Sequence, residues 1–309
     1  MLEEYNFELD RTRGTMAVMN LVPTFRPDDK DPAAVQGLID AAVLVRDDIY
    51  LTRYTERNQM DAQSHAAVEA LHKANVAVHG AMRSRYRDDK VSLESIEKVP
   101  VQDRIPGETR QRATILLKTW LLLPLPANAP VQAGPPPHFY IPYSGMDTTA
   151  FALLQTAVSN GEATTKTTDA NWEKAEAQLH GQQRLLHDFN VAAGAQGRAQ
   201  FPDPASLEAE LIDSIPSEPP VSAPGTAVIT EALATGPGSA RLKVSCARAS
   251  RFDWEKLTAP DTWAPYQADV PLSILIVTGL SAGPHTFRVQ GQNSRGESEW
   301  SEPVEITVQ

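Results

Sequence analysis

Apolar and polar residues change their spacing several times along the chain. From Tyr5 to Asp10 they alternate, with Tyr5, Phe7 and Leu9 on one side and Asn6, Glu8 and Asp10 on the other. Arg13-Gly14 supplies a turn signal, and Thr15–Val22 is a second β-compatible run ending at Pro23. Residues 1–25 are therefore expected to form a β-hairpin or extended arm. A two-stranded hairpin is marginal by itself, so it would pack on its own domain or add to a neighbouring subunit. That makes Tyr5 and Phe7 candidate partner contacts.

A helical pattern follows over residues 26–200. Asp31-Pro32 is an N-cap and first-turn pair, and Val35, Leu38, Ile39, Ala42, Val45 and Ile49 recur at helical spacing to about Tyr54. Asp61 is expected to open a second helix carrying Val68, Leu71, Val78 and Met82, antiparallel to the first across a short loop. Gly107–Leu123 reads as a third helix stopped by Pro124, and Pro124–Pro142 as irregular or polyproline-like. A short helix over about 147–159 ends at Asn160-Gly161, and a long one over 169–193 buries Trp172, Leu179, Leu186 and Phe189. The sum is a four- or five-helix bundle. Residues 201–226, with six prolines and five acids, read as a stiff extended connector in which Leu207, Leu211, Ile212 and Ile215 fit one helical turn.

From residue 227 the period shortens to two. Six runs stand out, Ala227–Leu233, Ala240–Ala247, one through Phe252 and Trp254, Leu272–Thr278, Thr286–Gly291 and Val304–Val308, close to the roughly seven short strands of an immunoglobulin-like sandwich. The closing residues Leu280, Gly283, Phe287, Val289, Asn293, Gly296, Glu297, Ser298, Trp300, Ser301 and Pro303 resemble the last hairpin of a fibronectin type III domain. The resemblance covers 227–309 and implies an immunoglobulin-like β-sandwich used to bind, space or display. Cys246 stands where the family commonly has a tryptophan, and His285 where it usually has a tyrosine. Trp254 is the candidate replacement core aromatic, and His285 can still donate a hydrogen bond at the corner. The adhesive Arg-Gly-Asp tripeptide is absent; Arg295-Gly296-Glu297 is a near miss. The fold class is thus multidomain, α plus all-β: a helical bundle with a β-hairpin arm, then the sandwich.

Composition narrows function by exclusion. The 309 residues carry a net charge of −11, which argues against nucleic acid because no basic stripe can displace phosphate counterions. One cysteine cannot make an internal disulfide. Ile115–Leu123 is about half a membrane span, so no membrane insertion is expected, and the N-terminus lacks a signal-peptide pattern. These features point to the cytoplasm or a particle assembled there.

Candidate chemistry is sparse. No metalloprotease, Walker, nucleophile-elbow or dinucleotide motif occurs, and no cofactor, metal site or enzymatic activity is expected. His65, His72 and His79 lie seven apart with Tyr86 continuing the row, and His180 and His187 repeat the spacing. Seven residues return to one helix face about 10.5 Å further on, too far for two rungs to share an ion. His72, His79, His180 and His187 remain candidates for a pH-sensitive helix contact. Phe139, Tyr140 and Tyr143 beside prolines are candidate partner anchors. The leading expectation is a non-catalytic structural or interaction protein, homo-oligomeric or a particle or virion component, with protein partners. The alternatives are a cell-surface carbohydrate- or protein-binding module and an enzyme with a site in the helical region.

Overall fold

A computed structural model describes residues 2–101, 105–125, 141 and 146–309. Phe139, Tyr140 and Tyr143 lie outside the described residues. The helices are α1 (Leu2–Leu21), α2 (Pro32–Leu44), α3 (Thr52–Arg85), α4 (Lys90–Glu97), α5 (Pro106–Leu122), α6 (Thr148–Gln200) and α7 (Leu207–Asp213). The strands are β1 (Val228–Gly236), β2 (Ser239–Ser245), β3 (Arg251–Ala259), β4 (Thr262–Val270), β5 (Ile274–Val277), β6 (Gly283–Asn293), β7 (Gly296–Glu297) and β8 (Val304–Val308). The chain divides into two compact units, Met1–Asp48 with Ala177–Gln309, and Ile49–Glu176.

The expected β-hairpin arm is α1 instead. Its buried residues are Tyr5, Phe7, Glu8, Leu9, Asp10, Thr12, Gly14, Thr15, Val18 and Met19. At 100° per residue these positions occupy every side of a helix, so no single apolar stripe marks it. The brief Tyr5–Phe7–Leu9 alternation then imitates a strand. Four neighbours surround α1. The Tyr5 hydroxyl donates to the Ala42 carbonyl of α2 at 2.8 Å. Asn190 Nδ2 of α6 donates to the Glu8 carbonyl at 2.8 Å. The Ser250 hydroxyl, just before β3, donates to Asp10 Oδ2 at 3.2 Å. At Gly14 a Cβ would lie 3.4 Å from Ile215, just past α7.

Other boundaries also move. Asp31 caps α2, accepting from Ala34 N–H at 2.7 Å, as its position requires. The chain then stays helical from α2 to α3 through a π-helical stretch, Val45–Leu51, so there is no hairpin loop before Asp61. The stretch Thr55–Met60 lacks glycine and proline and gives the helix no reason to stop. Asn160-Gly161 likewise fails to terminate α6, which runs unbroken for 53 residues. In the unit Ile49–Glu176, α3, α4, α5 and the start of α6 enclose a core of Leu71, Val78, Met82, Ile96, Leu116, Trp120 and Phe151. α4 follows an Asp89 cap that accepts from Val91 and Ser92 N–H. The expected connector contains α7, capped by Ser206. A Cβ on Gly197 would fall 2.6 Å from Ile212 Cδ1, so α7 lies directly on α6.

The sandwich follows the period-two pattern. One sheet runs β1-β2-β5; the other runs β4-β3-β6, with β7 and β8 both pairing the far side of β6, all antiparallel. Phe252, Trp254, Phe287 and Val289 fill its core with Leu242, Val244, Leu275 and Ile306. Trp254 thus supplies the core aromatic. Cys246 packs half-buried against that core. It fits because Gly291 is opposite, where a Cβ would come within 2.5 Å of its sulfur. His285 Nε2 donates to the Ser281 carbonyl at 2.7 Å, holding the corner expected of it. The Ser298 and Ser301 hydroxyls accept from Gly291 and Val289 N–H at 2.9 and 3.0 Å. Those serines carry the ladder across the irregular stretch between β7 and β8, which explains the Ser-Glu-Trp-Ser spacing.

Candidate functional site

The end of the sandwich where its β2–β3, β4–β5 and β6–β7 loops gather is covered by the chain itself. Asp10 accepts from Ser250 and sits 3.5 Å from Arg251 Nε. Gly14 lies against the Pro271 carbonyl, at 3.6 Å from where its Cβ would be, and Arg295 pairs with Glu3. Burial raises the Asp10 carboxyl above its ordinary range, even though Arg251, Arg13 and Ser250 favour the charged form. Tyr5 and Phe7 are core residues of this junction: Tyr5 is fully buried and burial pushes its hydroxyl up to about 12. Arg295 of the near-miss tripeptide is likewise engaged within the chain.

The outer face of the β4-β3-β6 sheet has a different character. Alternation turns Phe287 and Val289 inward and Arg288 outward. The Arg288 guanidinium lies 4.4 Å from the Trp263 ring centre and 4.7 Å from that of Trp300, and Nε donates to Glu255 Oε2 at 2.7 Å. Both tryptophans are half-buried. Two large aromatic edges are thus held rigid at a partly solvated surface, which suits protein recognition at low entropy cost.

Beside the β1-β2-β5 sheet lies a cleft of about 620 Å³, lined by Leu21, Leu207, Leu211, Leu233, Arg241 and Ile276 among others. Its one cation, Arg241, is matched to Glu210 at 3.3 Å and Glu231 at 2.7 Å. The cleft therefore offers apolar surface without an uncommitted cation, with Glu208 as the other charged residue in its lining.

The histidine row does not act as one group. His79 is buried and its Nδ1 accepts from Arg112 Nη2 at 3.2 Å. Burial, then the Arg112 charge, lowers its pKa, so the neutral ring is favoured. His72 is half-buried, and His180 is exposed. His187 meets buried Glu8 at 2.9 Å. His72 and His79 belong to one unit, His180 and His187 to the other. Among the described residues no cluster of three or more His, Cys, Asp or Glu side chains could hold a metal, and no helix is long and apolar enough to cross a membrane. Burial raises the Cys246 pKa and keeps the thiol protonated, the wrong state for a nucleophile. The polar group that sequence reading missed is Glu8–Arg11–Thr12–Asn190. Its members come from α1 and α6, 178 residues apart in the Thr12–Asn190 contact, and no local spacing signals it.

No family model matches the chain, and no curated protein matches it. Among solved structures, the crystal structure of FN3tt is 17% identical, covering 28% of this chain and 97% of that one, with a TM-score of 0.25. An Fn3-like protein from Clostridium thermocellum is 15% identical over 28% of this chain and 93% of that one, with a TM-score of 0.23. A β-1,2-glucanase from Parabacteroides distasonis is 20% identical over 30% of this chain and 14% of that one, with a TM-score of 0.26. The C-terminal sandwich is fibronectin type III-like in fold; the helical region has no recognised family.

Proposed function

We propose that the chain is a non-catalytic structural protein of a homo-oligomeric or larger particle assembly, whose helices hold the sandwich and present its β4-β3-β6 face to another protein. The observation that supports this reading is the division of the sandwich surface. Its loop end is occupied by α1 through Asp10 and Glu3, while Trp263, Arg288 and Trp300 stay at the solvated face. Rigid tryptophans flanking an arginine have the make-up of an interface anchor. A second copy of the chain is the simplest partner, because symmetric self-association needs only one such face.

Light scattering across a concentration series tests this directly. The expected result is a mass rising from monomer to at least dimer. Trp263→Ala with Trp300→Ala should hold it at monomer while the thermal transition stays cooperative. A strict monomer at several hundred micromolar would overturn the assembly reading. An unchanged oligomer in the double variant would remove the tryptophan face from it.

A further inference from the structure

We propose that the cleft beside the β1-β2-β5 sheet binds an uncharged, lipophilic small molecule, a role independent of the assembly reading. Three elements wall it: the end of α1 with the Pro23 turn, α7, and the outer face of the sheet. Strand register fixes what that face presents. Leu233 of β1, Arg241 of β2 and Ile276 of β5 lie directly opposite one another, so their side chains share one side of the sheet. It is the outer side, because Ala240 and Leu242, flanking Arg241, point into the sandwich core. α7 lies over this row, with Glu210 reaching Arg241 and Lys243 at 3.3 Å each.

The volume, about 620 Å³, is in the middle of the range for ligand pockets. Leu21 is 45% exposed, Leu207 39% and Leu233 52%, one leucine from each wall. A single exposed leucine is ordinary, but three converging on one concavity leave apolar surface that a ligand would remove from water. Charge then sets the class of ligand. Arg241 is the cation of the lining, and Glu210 and Glu231 already match it. An organic anion would have to break one of those pairs or bury its charge unmatched, with Glu208 also in the lining. Glu208 is only half-buried, and a partly solvated carboxylate holds a cation weakly. The apolar walls are what remains to give affinity, and they favour an uncharged molecule.

N-phenyl-1-naphthylamine and 1-anilinonaphthalene-8-sulfonate differ by one sulfonate, and both brighten in apolar surroundings, so the pair reads this preference by fluorescence. Titrated into the full chain, the uncharged dye should saturate one site and bind at least tenfold more tightly than the sulfonate. Leu207→Gln with Leu233→Gln, both at exposed positions, should weaken it at least tenfold with an unchanged Tm. Leu153→Gln with Leu185→Gln changes two leucines of α6 that are 64% and 56% exposed, away from the cleft, and should leave the affinity unchanged. Absence of saturable binding, equal affinity for the two dyes, full affinity in the first variant or an equal loss in the second would each overturn the site. An affinity that falls as protein concentration rises would put a second copy of the chain in the cleft and overturn the small-molecule reading.

Discussion

At His79 a buried ring gives the unit Ile49–Glu176 one source of acid sensitivity. Burial and the adjacent Arg112 charge hold its folded pKa below the ordinary 6.5. The unfolded chain therefore takes up the proton first, and the contribution of the neutral ring is complete above about pH 6.5 and is lost as pH falls through the lowered folded value. Stability of this unit should fall between pH 7 and 5 by no more than one proton's worth, about 1.4 kcal/mol per pH unit at most. In His79→Gln that slope should flatten, read by urea midpoints at several pH values. An equal slope in the variant would assign the acid response elsewhere. Exposed His65 and His180 repeat the spacing of His79 without its surroundings, so spacing alone could not single it out. Cys246 and Gly291 give the same lesson in the sandwich. The sulfur packs into the space that a Cβ at Gly291 would occupy, a complementarity invisible until β6 is placed beside it.

Among the elements, legibility tracks how many faces are covered. β6 is readable because it has one wet side and alternates along its length, with His285, Phe287, Val289 and Gly291 inward, whereas β4, mostly exposed, carries no alternation and is not among the strands expected. α2 and α5 were readable from Asp31-Pro32 and from the proline that follows Leu123. α1 was not, because its periodicity is erased by neighbours on all sides. The continuity of α6 was missed for a different reason. Asn160-Gly161 is a genuine stop signal locally, but tertiary contacts override it, with Gly161 packed beside Ser64. A Cβ at Gly161 would meet Ser64 at ordinary distances of 3.5–3.7 Å. Gly161→Ala should therefore stabilise the protein by about 0.5–1 kcal/mol, as expected for a mid-helix glycine with room beside it. At a left-handed helix end the same change would destabilise, so a lowered urea midpoint would contradict the unbroken helix. The cleft at Arg241 belongs with the illegible features, since it draws on α1, α7 and the β1-β2-β5 sheet.

For the molecule as a whole, the connector is the revealing segment. Its prolines and acids read as a spacer, yet α7 within it lies on α6, and Glu210 reaches Arg241 and Lys243 of β2 at 3.3 Å each. Together with Asp10, Ser250 and Arg251, these contacts tie the sandwich to α1 and α7. Nitrogen-15 relaxation should therefore return one rotational correlation time for sandwich and α1 amides. A markedly shorter time for the sandwich would show it swinging on a tether. The surrounded position of α1 also bears on how the protein is made. Asp10 and Ser250 are separated by 240 residues. At about 5–20 residues per second, translation delivers the second roughly 10–50 s after the first. Throughout that interval α1 has α2 beside it but lacks the full set of elements that encloses Tyr5, Phe7, Leu9, Val18 and Met19, while residues 49–176 form a contiguous unit. α1 thus waits for residues made long after it before its surroundings are complete.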